Sequence, residues 1–144
     1  MTAGDLPEVM AIERTSFPNP WHEVTFRGEL QNTGISFPLV AAERTAGRIL
    51  GYIIYWRIQD EIQINNIAVH REARGWGIGE GIMRRVLDME RAAGVVFASL
   101  EVRMSNMPAR ALYEKLGFET LGLRKDYYVN PMEDALVLGL NLSQ

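Results

Sequence analysis

Four glycines at alternate positions, Gly75, Gly77, Gly79 and Gly81, separate an apolar run ending in Ile67-Ala68-Val69 from a stretch of helical periodicity that carries on through Arg84 and Arg85. Glycine in a helix interior costs about 1 kcal/mol relative to alanine, so a helix opening on such a cluster answers to a demand other than helix propensity. Bare backbone at a helix N-terminus lets a ligand reach N–H groups that have no intrahelical partner, and the partial positive charge there favours an anion such as pyrophosphate. Arg74 adds a full positive charge at the same turn. The alternative demand is steric: a helix seated so closely on a sheet that side chains are excluded. Spacing separates the known phosphate loops. A dinucleotide fingerprint needs G-x-G-x-x-G, but the last place of that pattern falls on Glu80 counted from Gly75 and on Ile82 counted from Gly77. A Walker loop needs Gly-Lys followed by Ser or Thr, which is absent.

The runs on either side of this turn alternate between helix and strand periodicity. Asp5 is placed to cap a helix with Pro7 in its first turn, and Leu6, Val9, Met10 and Glu13 follow at helical spacing. Phe17-Pro18-Asn19-Pro20 breaks that helix, and Trp21 to Leu30 reads as a second one with Trp21, Phe26 and Leu30 available for packing. Three runs rich in Ile, Val and Tyr, from Phe37 to Glu43, Arg48 to Arg57 and Glu61 to Val69, predict an antiparallel meander. Gly75 to Ala92 predicts a helix with Ile78, Ile82, Val86 and Met89 on one face. Val95 to Arg103 predicts a strand in the middle of the sheet, and Pro108 to Leu116 a helix ended by Gly117. Two last strands, near Glu119 to Arg124 and Ala135 to Leu140, flank a polar connection that carries Tyr127 and Tyr128. A meander followed by a strand, helix, strand crossover calls for an α/β sandwich with a mixed sheet. With 144 residues, 47% of them hydrophobic, the chain has material for one sizeable core, so residues 1–144 are expected to form a single domain.

Arg74-x-x-Gly77-x-Gly79, following Asn66-Ile67-Ala68-Val69, resembles the Q/R-x-x-G-x-G/A signature with which the GNAT superfamily of N-acetyltransferases holds the pyrophosphate of coenzyme A. Leu100-Glu101-Val102-Arg103, Ser105-Asn106 and Ala111-Leu112-Tyr113-Glu114-Lys115-Leu116-Gly117-Phe118 are similar to the corresponding stretches of the RimI-type members, which acetylate the N-terminal alanine of a ribosomal protein. The likeness runs from about Ala3 to Leu140 and implies a mixed, mostly antiparallel sheet flanked by helices. It implies acetyl-CoA as co-substrate, held by Arg74, Gly75, Trp76, Gly77, Ile78, Gly79 and Glu80, by the backbone of Ile67, Ala68 and Val69 along its pantetheine arm, and by Asn106. A bulge is implied to splay that strand from the next. Glu101 is implied as general base and Tyr113 as general acid, while Phe17, Pro18, Trp21, Tyr127 and Tyr128 match regions that clasp a substrate peptide. Relatives begin with a strand before the first helix, whereas only Met1 to Gly4 precede Asp5 here, so that strand is expected to be absent or truncated.

Chemistry makes the implied roles sensible, because an amine must lose a proton to attack a thioester and the departing thiolate must gain one. The competing readings are a Glu101 paired with Arg103 or another cation, a Tyr113 that only packs its ring, and loop aromatics that plug core edges. Two other functions stay open: acetylation of a small-molecule amine, and a non-catalytic acyl-CoA-binding module. The joint presence of Glu101, Asn106, Tyr113 and the Tyr127-Tyr128 pair argues against the last, which needs only the glycine turn. Net charge −3 offers no basic excess for nucleic acid. The absence of cysteine removes disulfides, thiolate metal sites and a cysteine nucleophile. His22 and His70 lack companion spacing for a metal, so none is expected. No apolar run approaches the length of a membrane span and Met1 to Asp5 carry no signal-peptide pattern, which makes a cytoplasmic protein the default expectation. The partner expected is a protein N-terminus, with no membrane involved.

Overall fold

The computed structural model describes residues 1–143. Helices α1 (Leu6–Ser16) and α2 (Glu23–Gln31) precede an antiparallel meander of β1 (Ser36–Ala42), β2 (Ile49–Ile58) and β3 (Glu61–Val69). Then come α3 (Ile78–Ala92), β4 (Phe97–Arg103), α4 (Met107–Lys115), β5 (Glu119–Tyr128) and β6 (Glu133–Asn141). The strands form one sheet in the order β1-β2-β3-β4-β6-β5. Among the described residues its only parallel pair is β3 with β4, joined through α3. Among the described residues no strand precedes α1; the chain makes a single 3-10 turn there, and the Met1 amine donates to the Pro38 carbonyl oxygen of β1 at 3.1 Å.

Strand alternation sorts the side chains into two cores, one on each face. On one face Leu6, Val9 and Ile12 of α1 and Phe26 of α2 bury against Tyr52, Ile54 and Ala68. On the other, Met83, Val86 and Leu87 of α3 and Tyr113 of α4 bury against Ile53, Ile62, Ile64, Leu100 and Val102. Glu101 alternates with Leu100 and Val102, so it belongs to the α1–α2 face while Tyr113 belongs to the α3–α4 face.

Several element ends differ from the sequence reading. Asp5 stands at the N-cap of α1 but its carboxylate turns back to the Thr2 N–H at 2.7 Å, capping the 3-10 turn instead. α2 starts at Glu23, because Trp21 is drawn away by its N–H bond to Glu13. α3 starts at Ile78, since Gly75 and Gly77 take φ of +87° and +79°, outside any right-handed helix. Its buried face is Met83, Val86, Leu87 and Glu90; Ile78 and Ile82 lie at the core's margin and Met89 is exposed. Glu90 enters the core because Arg57 and the Tyr55 hydroxyl both donate to it, at 2.6 to 2.8 Å. β4 starts at Phe97 rather than Val95. Tyr127 and Tyr128 end strand β5, which outruns its predicted limit by pairing Tyr128 with Glu133 across an irregular register.

Candidate active site

The sheet parts along its middle. The β3–β4 ladder runs from Glu61 opposite Phe97 to Ile64 opposite Leu100 and stops there. One residue further, Asn65 is an extra residue in β3: β2 pairs Ile54 with Asn66 and Tyr55 with Ile64, skipping it. Such a bulge kinks one strand and raises its local twist, which carries Asn66 to Val69 away from β4. Ile67, Ala68 and Val69 keep β2 as a partner on one edge and have none on the other. That free edge is the expected bed for an extended arm.

A cleft of about 890 Å³ opens where the strands separate. It gathers Phe17, Pro18 and Trp21 from the α1–α2 elbow, Ile67 from β3, Glu101 from β4, Asn106 from the N-cap of α4 and Tyr113 from within it, and Tyr127 and Tyr128 from β5. Ala68 and Val69 do not line it, and neither does the turn Arg74 to Glu80, which continues from the end of β3 to the start of α3.

That turn discriminates between the two demands posed by its glycines. A Cβ at Gly75, Gly77 or Gly81 would meet nothing within 4 Å, and one at Gly79 would make only ordinary contacts with Val69 and Leu112 at 3.6 and 3.7 Å. Close packing therefore does not explain them. The glycines enforced by packing are elsewhere, at Gly51, where a Cβ would lie 2.9 Å from the Ala68 carbonyl oxygen, and at Gly139. The open cradle leads into the N-terminus of α3, where no side chain caps the first N–H groups, a fit to pyrophosphate. Arg74 spans the turn, donating from Nε to the Val69 carbonyl oxygen at 3.3 Å and from Nη2 to Ser16 Oγ at 3.0 Å. Glu80 accepts from Lys115 and Arg84, both at 2.8 Å. Those bonds, Lys115 first, hold its carboxyl below the usual range and offset its charge at the turn. Trp76 is exposed.

Within the cleft Glu101 is mostly buried. Its Oε1 lies 3.6 Å from Arg124 Nε, and its Oε2 is buried without a partner among the described residues. Arg103 is not its counter-ion; that guanidinium bonds Glu133 and the carbonyl oxygens of Val129 and Pro131, and lies over the Tyr128 ring. Tyr113 packs edge-on against Phe118, and burial, followed by the neighbouring Tyr128, pushes its phenol up to about 12. Tyr128 is likewise pushed up to about 12 by burial and then by the Glu101 charge. Tyr127 rises too, chiefly through the hydrogen bond its hydroxyl can give Glu101. A carboxylate on one face of an opening and a loaded phenol on the other can take a proton from one reactant and offer one to the second. Asn106 caps α4 through Oδ1, accepting the Ala109 N–H at 3.3 Å.

The sequence reading missed the carboxylate that holds the elbow. Glu13 is buried; it accepts from the Tyr52 hydroxyl, from Asn66 Nδ2 at 2.8 Å and from the Trp21 N–H at 2.8 Å, tying elbow, β2 and β3 together. Burial, then Glu13, raises the Tyr52 hydroxyl far above its ordinary value. The available signal was an acid on the apolar stripe of a helix. Glu133 was missed as well; it accepts the Ser105 N–H at 2.5 Å and an Arg103 bond, and is held below the usual carboxylate range chiefly by Ser105. Glu61, at the start of β3, does not line the cleft. His70 accepts the Glu72 N–H as a turn cap, and the described residues contain no cluster of metal-ligating side chains. No helix among them is long and apolar enough to cross a membrane.

The model of the acetyltransferase (GNAT) family matches residues 6–118, a span that takes in both helices of the elbow, the glycine turn, Glu101 and Tyr113. The chain is 34% identical over 145 residues to a ribosomal protein bS18-alanine N-acetyltransferase of Salmonella typhimurium, covering 99% of this chain and 95% of the relative. It is 33% identical over 141 residues to the enzyme so named in Escherichia coli, covering 96% and 93%. The crystal structure of the ribosomal-protein-S18-alanine N-acetyltransferase from Escherichia coli superposes with a TM-score of 0.91 at 31% identity, over 100% of this chain and 92% of that one. With the splayed strand and the open glycine cradle in the places that family requires, the chain belongs to the GNAT family of acetyltransferases.

Proposed function

We propose that the protein transfers the acetyl group of acetyl-CoA to the N-terminal α-amine of a protein, and that the substrate is a ribosomal protein beginning with alanine. The carrying observation is the parted sheet: Glu101 with its unpartnered oxygen shares a face with the elbow, and Tyr113 faces the opening from the α3–α4 side. The named activity of the relatives, matched over nearly their whole length, supports the same reading. Arg74 to Glu80 take the pyrophosphate, the free edge of Ile67 to Val69 takes the pantetheine arm, and Asn106, whose Nδ2 is not used in capping, contacts the coenzyme. The peptide enters between Phe17, Pro18 and Trp21 on one side and Tyr127 and Tyr128 on the other.

The neutral amine nitrogen bonds the thioester carbon while Glu101 takes one of its protons, and the carbon–sulfur bond breaks to release the thiolate. Tyr113 donates toward the sulfur as it leaves. A phenol near 12 stays protonated throughout the working range, so the donor is always loaded. Against a thiol of about 8.5 it is a weak acid, so its main contribution is a hydrogen bond to the charge developing on sulfur. An α-amine suits a single carboxylate base. With a pKa of about 7.7 to 8.0 against about 10.4 for lysine, it is neutral several hundred-fold more often at pH 7.

Acetyl-CoA consumption across a panel of N-terminal peptides and small free amines tests the assignment. Turnover of alanine-first peptides well above that of any free amine is the expected result. Turnover of free amines alone would move the assignment to a small-molecule acetyltransferase, and coenzyme A binding without turnover to a non-catalytic module.

A further inference from the structure

The bulge in β3 sets two asparagines side by side, and the fold treats them in opposite ways. Asn66 is buried with its amide Nδ2 bonded to Glu13 at 2.8 Å. Asn65 lines the cleft, and its Nδ2 is buried without an acceptor among the described residues. Leaving a buried amide N–H unpaired is costly, and that cost is recovered when a ligand brings the acceptor. The other buried side-chain atom in this condition among the described residues is Glu101 Oε2. The two residues are neighbours across the split. The last rung of the parallel ladder joins Ile64 to Leu100, so Asn65 and Glu101 come next on their strands. Ile64 and Leu100 both point into the α3–α4 core, alternation turns Glu101 away from it, and the bulged Asn65 lines the same cleft as Glu101.

We propose that Asn65 recognises the substrate amine as an α-amine, its side-chain amide donating a hydrogen bond to the carbonyl oxygen of the substrate's first residue. The inference rests on the N-terminal acetylation proposed above. In a peptide the attacking nitrogen is separated from that oxygen only by Cα and the carbonyl carbon. An amine held at Glu101 thus carries an acceptor toward Asn65 in the same cleft. A lysine side chain or an alkylamine has no oxygen there and leaves Asn65 unsatisfied. Sites built around a substrate hydrogen bond discriminate against analogues lacking it far better than apolar pockets discriminate by size.

The test pairs a change in the enzyme with a change in the substrate. kcat/KM is measured for an alanine-first peptide and for the same peptide with its first peptide bond replaced by an (E)-alkene, which keeps the shape and lacks the oxygen. The wild type is expected to favour the parent by about 10-fold, the worth of one well-placed hydrogen bond. In Asn65→Ala and Asn65→Leu that preference is expected to fall to within about 2-fold, because only the parent can lose the bond. Acetyl-CoA affinity and the unfolding midpoint, measured alongside, report whether each variant is folded. Equal losses on both peptides in a folded variant would make Asn65 merely structural and overturn the proposal, as would a wild type indifferent to the oxygen. The second result requires no variant to fold. A wild type that acetylates neither peptide would instead overturn the N-terminal reading, and this proposal with it.

Discussion

Glu101 and Glu13 are both buried carboxylates at the same cleft, and their bonding separates their roles. Glu13 accepts three hydrogen bonds and serves to hold the elbow, whereas Glu101 keeps one oxygen unpartnered and faces a cation only at 3.6 Å. Glu101→Gln is expected to lower kcat by about 100-fold to 10,000-fold while leaving acetyl-CoA affinity within about 2-fold, measured by steady-state kinetics and calorimetry. Tyr113→Phe is expected to slow turnover with the same unchanged affinity. Near-normal turnover in both variants would return the pair to packing roles. In its proposed role Tyr113 would act in its protonated form, which is fully present below its raised value and lost only as pH rises through about 12. The pH profile of kcat should therefore show no falling limb from this group below about pH 11, and a limb near pH 9 that vanishes in Tyr113→Phe would contradict the assignment. Both residues were legible through their resemblance to a family pattern. Glu13 and Asn65 were not, because their meaning lies in which buried partners they have or lack, and that depends on a bulge no sequence spacing announces.

At the glycine turn the sequence reading starts the helix too early. The positive φ of Gly75 and Gly77 delays α3 to Ile78, a conformational fact hidden from a count of residues. Gly77→Val is expected to raise the dissociation constant of coenzyme A strongly, since it both fills the cradle and forces a branched residue into left-handed backbone. Undiminished affinity would remove the pyrophosphate from this turn. Gly81→Ala separates ligand demand from folding demand. Gly81 has ordinary helical backbone and open space around a Cβ, so the change should stabilise the ligand-free protein by about 0.5 to 1 kcal/mol in thermal unfolding. On the same helix, Met89 was assigned to the buried stripe and Glu90 was not. Periodicity places apolar residues inward, but the Arg57 guanidinium and Tyr55 hydroxyl make a buried carboxylate at Glu90 the better-satisfied choice. Burial pushes the Glu90 carboxyl up, yet those two donors and the Arg57 charge outweigh it and hold it below the ordinary range. Its contribution to stability is therefore present above about pH 4.3 and lost as pH falls through the folded value. Glu90→Gln should cost about 2 kcal/mol at neutral pH and flatten the acid side of the stability curve, as followed by denaturant unfolding.

The whole sheet is organised around one break. Three antiparallel strands and the β4-β6-β5 set are joined by only a short parallel ladder, and past its end the two halves open toward opposite layers of helices. On the proposed function, the elbow layer would offer aromatic residues and acids to a peptide, and the α3–α4 layer a helix terminus and a phenol to a coenzyme. Strand and helix order were readable from periodicity, and the central place of β4 from its apolar run. The continuation of β5 to Tyr128 was not, because its pairing with β6 passes through an irregular register that the sequence marks only as polar. Glu13, Glu101 and Glu133 line the cleft of a molecule of net charge −3. A substrate whose residues after the first are basic should therefore lose more kcat/KM on added salt than a neutral one, and equal losses would exclude steering by this field. The reaction itself is tested most directly by locating the acetyl group. A peptide beginning with alanine, continuing into aromatic and basic residues and containing an internal lysine is incubated with enzyme and acetyl-CoA beside a copy blocked at its N-terminus, and the products are sequenced by mass spectrometry. The predicted result is a single acetyl group on the α-amine of the free peptide and none on the blocked copy; acetylation of the blocked copy at the same rate would contradict it.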